Sequence, residues 1–285
     1  MNKPSQLLLQ KLRTPTVFER EHSMLDSQLR GCVECLDLSD NCTNKKFWLL
    51  TNGGFESIND PKWEINSENS VMSALNMLHG QVALNGISSL LELCVDHVVI
   101  FRSTARNSFY HPQLPRVIFI NIEQQSGPYH ILEELVHQAG HATVDSISRN
   151  CSLYVDARTA SSFSVDHHDR TPEEMGTVVR FHSFVTLSLV CETLSLLEKP
   201  KDASNAALMT GRLSYAFHKL AYDLQFFIGA MELLKKDGLL FFRGSFELYN
   251  SILRTHENRI SECEMRDQPY VFNEEIFLGH NALML

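Results

Sequence analysis

Two histidines in the segment ILEELVHQAGHATVDSI have the spacing of metal ligands. His137 and His141 are four residues apart, so in a helix their imidazoles share one face, about 6 Å apart along the axis. Two neutral imidazoles held in this way can bind one ion from a rigid platform. Gly140 lies between them, although glycine costs a helix about 1 kcal/mol relative to alanine, which indicates that another group approaches the backbone there. We therefore predict a metal site with both histidines as ligands.

The residue that follows the first histidine restricts the chemistry of this site. In zinc peptidases the motif is HExxH, and its glutamate is the general base that activates metal-bound water. Gln138 occupies this catalytic position, and an amide cannot take up a proton. Either the metal does chemistry that needs no carboxylate here, such as binding O₂ with an organic co-substrate, or the site is degenerate.

A catalytic ion needs at least one more protein ligand. Our first candidate is His182, in VVRFHSF, because it interrupts an otherwise apolar helical run, although such a histidine can also be an ordinary core residue. Other candidates lie in the loop VDHHDRTPEE or further downstream, namely Asp166, His167, His168, Asp169 and Glu192. Three carboxylates near the histidine pair could hydrogen-bond the outer ring nitrogens of the ligands, or could form a solvated acidic face, namely Glu133, Glu134 and Asp145.

Hydrophobic spacing predicts the elements that position these residues. β-branched and aromatic runs predict strands at 97–103 and 116–122, and residues 41–66 read as loops around the apolar run FWLL. The motif helix should run from about Pro128, with Ser126 as its cap, to Ser148. Other helices are predicted within 1–40, over 67–93 with a break near Gly86, and at 172–198, 204–236 and 245–263, the last two separated by DGLLFFRG. The predicted fold class is α+β, predominantly helical with a small central β-sheet.

We interpret residues 1–285 as a single metal-binding domain in three parts. An N-terminal helical part covers 1–95, the metal-site core covers 96–200, and a C-terminal helical part covers 201–285. Apolar residues make up 44% of the chain, which is ample for a packed core.

Composition and charge argue against several classes of partner. The net charge is −9, and no basic run carries interleaved aromatics, so we expect no nucleic-acid partner. No apolar stretch reaches the roughly 18 residues of a membrane helix, and the N-terminus lacks the features of a signal peptide. Seven scattered cysteines, including an isolated CxxC at Cys32 and Cys35 that we interpret as free thiols, suit the reducing cytoplasm.

Four segments together resemble a known enzyme family. The segments HVVIFRS, SFYHPQLPRVIFIN, ILEELVHQAGH and DHHDRTPEEMG, which span roughly residues 95–200, resemble the HExxH-type peptide β-hydroxylases. The resemblance implies an oxygenase that uses Fe(II) and 2-oxoglutarate to hydroxylate a peptide or peptide-like biosynthetic substrate. Departures from the family pattern are Gln138 for the motif glutamate, Leu114-Pro115-Arg116 for a Pro-Gly turn, and Arg170-Thr171-Pro172 for Arg-Pro.

Under this interpretation His137, His141 and His182 hold the iron, because two histidines plus a third ligand with open positions is the pattern of iron oxygenases. A 2-oxo acid co-substrate needs a cation for its far carboxylate, and a bidentate arginine is the best physical match. Arg170 and Arg180 flank the predicted site in sequence and are the first candidates, followed by Arg102, Arg116 and Arg158.

Two other functions stay open at this point. One is a zinc hydrolase, a peptidase or amidase, whose base is another carboxylate such as Glu134. The other is a partner-binding protein with a degenerate site. The substrate, a peptide or small molecule, and the oligomeric state are not identified by these residues.

Overall fold

The structure is a computed structural model that describes residues 3–12, 47–51, 54–58, 65–101, 107–110, 116–122, 127–148, 153 and 177–282. Several residues singled out above lie outside these ranges. They are the CxxC cysteines, Arg102, Leu114, Pro115, the predicted cap Ser126, Arg158, Asp166, His167, His168, Asp169, Arg170, Thr171 and Pro172.

Helices dominate the described residues. They are α1 Pro4–Leu12, α2 Ile65–His79, α3 Asn85–Cys94, α4 Pro128–Ser148, α5 Thr177–Leu196, α6 Ala203–Gly229, α7 Lys236–Glu262 and α8 Glu274–His280. Short 3-10 turns at Val82–Leu84 and Met231–Leu233 precede α3 and α7. No helix in these ranges has the length and apolar composition needed to cross a membrane.

Within the described ranges, five strands form two small sheets. They are β1 Phe47–Thr51, β2 Gly54–Ile58, β3 His97–Phe101, β4 Phe109–Tyr110 and β5 Val117–Asn121. An antiparallel pair joins β1 to β2, and the second sheet has the order β3-β5-β4, with β3 parallel and β4 antiparallel to β5. Every residue of β5 is buried, as expected for a central strand. The prediction of a predominantly helical α+β fold is therefore confirmed.

Most element predictions are close to the structure, and two are wrong. The motif helix has its predicted bounds, Pro128–Ser148. Residues 47–51 and 54–58, within the region predicted as loops around FWLL, form β1 and β2. The break predicted near Gly86 is confirmed, because α2 ends at His79 and α3 begins at Asn85.

The second wrong prediction concerns DGLLFFRG, which does not separate two helices. The segment forms the first turns of α7, where Phe241 and Phe242 are buried. Two aromatic side chains that bury their surface in the core outweigh the poor helix propensity of Gly238.

Helix α5 lies at the centre of the packing. It contacts α4 and α6, and every residue from Arg180 to Leu194 except Ser183 is buried. Phe181 and Phe184 pack against aromatic rings of α6 and α7. One cluster of buried apolar residues extends from Leu8 to Ile260 and so draws on all three predicted parts of the chain.

Candidate metal centre

Helix α4 supplies the histidine pair. The Nε2 atoms of His137 and His141 are 3.2 Å apart, and their ring centroids are 5.0 Å apart. Both side chains are half-buried. The opposite face of the helix is anchored by buried apolar residues, namely Ile131, Leu132, Leu135, Val136 and Ala139. This packing fixes the helix rotation, so that the two imidazoles share one face as predicted.

Helix α5 brings a third histidine to the same place. The Nδ1 atoms of His182 and His141 are 3.5 Å apart, and the ring centroids are 5.7 Å apart. His182 is buried, unlike the other two histidines. The residue chosen from the sequence as the third ligand therefore lies beside the HxxxH pair.

Gly140 allows α5 to come this close. A Cβ atom at this position would lie 2.9 Å from Cγ2 and 3.1 Å from Cα of Thr186. Thr186 is fully buried and lies one helical turn after His182. The missing side chain of Gly140 thus lets His182 reach His141, which explains a glycine inside the motif.

Burial controls the charge of two of the histidines. It lowers the pKa of His137 and of His182 well below the usual value, and the neighbouring His141 lowers both further. These two imidazoles are therefore neutral near pH 7. The neutral imidazole is the form that binds metal ions.

The three imidazoles are suitable metal donors and lie close together. Their nitrogen atoms do not all point towards one common position. Over the residues that the structure describes, no set of three or more His, Cys, Asp and Glu side chains is arranged as it stands to hold a metal ion. His141 faces His137 with Nε2 and His182 with Nδ1. Because one imidazole binds an ion through one nitrogen, a shared ion requires at least one ring to rotate.

Gln138 is buried next to Glu134, a carboxyl group whose pKa is raised. Its Nε2 donates to Oε2 of Glu134 at 3.4 Å, and its Oε1 is a buried acceptor without a hydrogen-bond partner in the described ranges. Burial and the neighbouring Glu133 raise the pKa of Glu134 to about 6, although hydrogen bonds from Ser108 and Gln138 and the charge of Arg212 oppose this. A proton is therefore exchanged one helical turn before His137 at a pH close to neutral.

The other two carboxylates near the pair have partners of their own. Glu133 pairs with Arg212 at 2.5 Å, and Asp145 accepts a hydrogen bond from Tyr110 at 2.6 Å. The alternative ligand Glu192 accepts hydrogen bonds from the backbone N–H and hydroxyl of Ser5, at 3.0 Å and 2.6 Å. It lies ten residues after His182, about 15 Å along the helix, and thus joins α1 to α5 away from the histidines.

Arg180, a predicted co-substrate residue, points towards α6. Its Nη1 lies 3.9 Å from a carboxylate oxygen of Asp223, and both side chains are 4% exposed. The guanidinium also lies 4.3 Å from the ring centroid of Phe226. His182, two residues later, faces α4 instead. The structure thus shows a buried ion pair for Arg180 and no contact that tests its predicted role, which stays a prediction like that of Arg170.

Sequence reasoning missed the charged residues of α6. Arg212 is almost completely buried and also pairs with Glu274 at 2.6 Å, so it joins α4, α6 and α8. Lys219 and Asp223 follow on the same helix. Their spacing of seven and four residues places all three on one helix face. This spacing was visible in the sequence, but the sequence does not show which residues that helix face packs against.

Comparison with known proteins provides no match. A scan against models of protein families finds no family that matches the chain, and a search of curated proteins finds none. The functional interpretation therefore depends on the motif residues and on the geometry described above.

Proposed function

We propose that this chain is a non-haem iron, 2-oxoglutarate-dependent oxygenase that hydroxylates a peptide or peptide-like biosynthetic substrate, with His137, His141 and His182 as the iron ligands. The observation that carries the proposal is the position of His182, which reaches His141 from a different helix. This position supports the choice of His182 as the third ligand, a choice that was made from its sequence context alone.

Three further features support the proposal. The low pKa values of His137 and His182 keep their imidazoles ready for a metal. The α4 pair is only half-buried, so it is not sealed from solvent. Arg116 has φ 65°, a left-handed conformation that favours glycine, and it occupies the turn where the resembled family has its Pro-Gly.

In this reaction the three histidines and Gln138 would have separate roles. Bound iron would supply the activation of O₂ together with the co-substrate. The three histidines would hold the iron and leave positions open, and α4 and α5 keep water from the His182 side. Gln138 cannot take up a proton, so it cannot act as the base of a peptidase. Its buried Oε1 can accept a hydrogen bond from an N–H group of a ligand.

The decisive experiment is anaerobic loading with Fe(II) followed by titration with 2-oxoglutarate. We expect a broad visible charge-transfer band that saturates at one 2-oxoglutarate per chain, and succinate formation after O₂ is admitted. The band should be absent from His137→Ala. An iron-loaded protein that develops neither the band nor succinate would contradict the proposal.

A zinc hydrolase is the second candidate, and Glu134 is the observation that favours it. A carboxylate with a pKa of about 6, one turn before the first ligand, could replace the missing motif base. Metal analysis of protein purified without added metal separates the candidates. Full occupancy by zinc, with amide hydrolysis that is lost in Glu134→Gln, would support the hydrolase, whereas a degenerate binding protein would retain neither metal nor turnover.

A further inference from the structure

We propose that Lys219 is the cation that binds the far carboxylate of a dicarboxylic 2-oxo acid held at the histidine centre. The proposal rests on the proposed function, because it presumes that such an acid binds there. It assigns to α6 a role that the sequence had given to Arg170 or Arg180.

Two fixed contacts place Lys219 opposite the centre. Seven residues before it, Arg212 pairs with Glu133, which lies one turn before His137 on α4. Four residues after it, Asp223 accepts a hydrogen bond of 2.7 Å from Ser183, the neighbour of His182 on α5. The turn of α6 that carries Lys219 therefore lies between these contacts, at the level of the histidines.

The surroundings of the ammonium suit ligand binding. Lys219 is half-buried, and its Nζ donates to the backbone carbonyl of Tyr270 at 3.2 Å. Nζ also lies 4.0 Å from the ring centroid of Tyr270 and 5.2 Å from that of Tyr215. These contacts orient the side chain, and an ammonium has three donors, so two are left for a carboxylate.

The other buried cations of this face are already paired with carboxylates. Arg212 binds Glu133 and Glu274, and Arg180 binds Asp223. Glu133, Asp223 and Glu134 are near enough to act on the charge of Lys219, but in the part of the chain that the structure describes their ion pairs are with Arg212 or Arg180 and none is with Lys219.

The test compares two ligands of equal length. 2-Oxopentanoate has the five-carbon chain of 2-oxoglutarate with a methyl group in place of the far carboxylate. Calorimetric titration of both acids into full-length, zinc-loaded protein measures binding without any turnover. We expect Lys219→Met to weaken 2-oxoglutarate about 10- to 100-fold, the usual range for a charge-assisted contact, and to leave 2-oxopentanoate unchanged.

Two further variants serve as controls for Lys219→Met. Lys219→Arg preserves the charge and should bind 2-oxoglutarate within a few-fold of the unmodified protein, which provides a readout if the methionine variant does not fold. Lys236→Met removes an exposed lysine at the start of α7 and should change neither affinity.

Each remaining outcome is informative. Equal affinity of Lys219→Met and the unmodified protein for 2-oxoglutarate would overturn the assignment of Lys219, as would a selective loss seen only in Arg170→Met or Arg180→Met. Either result would leave the proposed function intact. A metal-loaded protein that binds neither acid would overturn the proposed function and this assignment with it.

Discussion

The Nδ1 atoms of His141 and His182 lie 3.5 Å apart, although 41 residues separate the two histidines in the chain. One histidine is carried by α4 and the other by α5, so the candidate centre depends on how these helices pack. Two imidazoles on α4 alone would be an exposed pair. The contact with His182 extends the pair into the protein core.

Replacing His182 tests whether it is a ligand. His182→Gln should lower metal affinity by more than about 100-fold, because loss of a partner outside the ligand shell already costs 10- to 100-fold. Competition with a chelating dye measures this affinity. His218→Gln is the matched control, since His218 is exposed on α6; equal affinities of the two variants would contradict a ligand role.

Gly140→Ala should push α5 away from α4. The added Cβ would meet the backbone of Thr186 as well as its methyl group, and such overpacking costs about 1–3 kcal/mol, against about 1 kcal/mol gained in helix propensity. We expect a lower free energy of unfolding and weaker metal binding, both measured on purified protein.

Two variants control for the effect of alanine itself. Gly279→Ala in α8, where no atom lies within 4 Å of the new Cβ, should stabilise the protein by up to about 1 kcal/mol, the gain in helix propensity alone. Thr186→Ser removes the methyl group that would lie closest, so adding it to Gly140→Ala should restore part of the stability. A Gly140→Ala protein as stable as Gly279→Ala would show that the helices are not in tight contact.

The pH dependence of stability should reveal Glu134. Its pKa is raised from 4.5 to about 6, so the unfolded chain loses this proton at a lower pH than the folded protein. The folded state is therefore destabilised as pH rises from 4.5 to 6, by about 2 kcal/mol above that range. Glu134→Gln should not lose stability in this way. The difference in the free energy of unfolding between Glu134→Gln and the unmodified protein should therefore grow, in favour of the variant, between pH 4.5 and 6.

Denaturant unfolding of metal-free protein at several pH values provides the measurement. Asp223, whose pKa is also raised to about 6 by burial, contributes equally to both proteins and cancels in the difference. Parallel stability curves for the two proteins would show that Glu134 has an ordinary pKa.

Arg212→Met should destabilise the fold more than any exposed substitution. Its removal leaves Glu133 and Glu274 near one another without a cation, and breaking a buried pair in this way costs about 3 kcal/mol or more. Changing both carboxylates to glutamine in the same protein should recover much of the loss. Thermal unfolding checks both expectations, and a small effect of Arg212→Met alone would mean that water screens the two carboxylates.

The part of the fold that depends on local signals was predictable. Pro128 in the first turn and the apolar spacing that follows it gave the bounds of α4 correctly, and β-branched residues located β3 and β5. The DGLLFFRG segment misled because glycine and aspartate indicate a loop locally, whereas burial of Phe241 and Phe242 in the core determines the structure.

The residues of the candidate site that follow from local sequence patterns were also predictable. His137 and His141 follow from helix periodicity, and His182 from its polar character within an apolar run. The pairing of Arg180 with Asp223 could not be foreseen, because charge partners on different helices depend on helix rotation and register. The same reason hid Lys219, which has no motif around it in the sequence.

The burial of α5 determines how an ion can enter and leave. His182 is enclosed by the helices on either side, whereas His137 and His141 are half-exposed on α4. Under the proposed function, an incoming ion would therefore meet the α4 pair first and bind His182 last. Release would follow the reverse order, so the lifetime of the loaded protein would be set by how often the His182 imidazole dissociates from the ion rather than by unfolding of the chain.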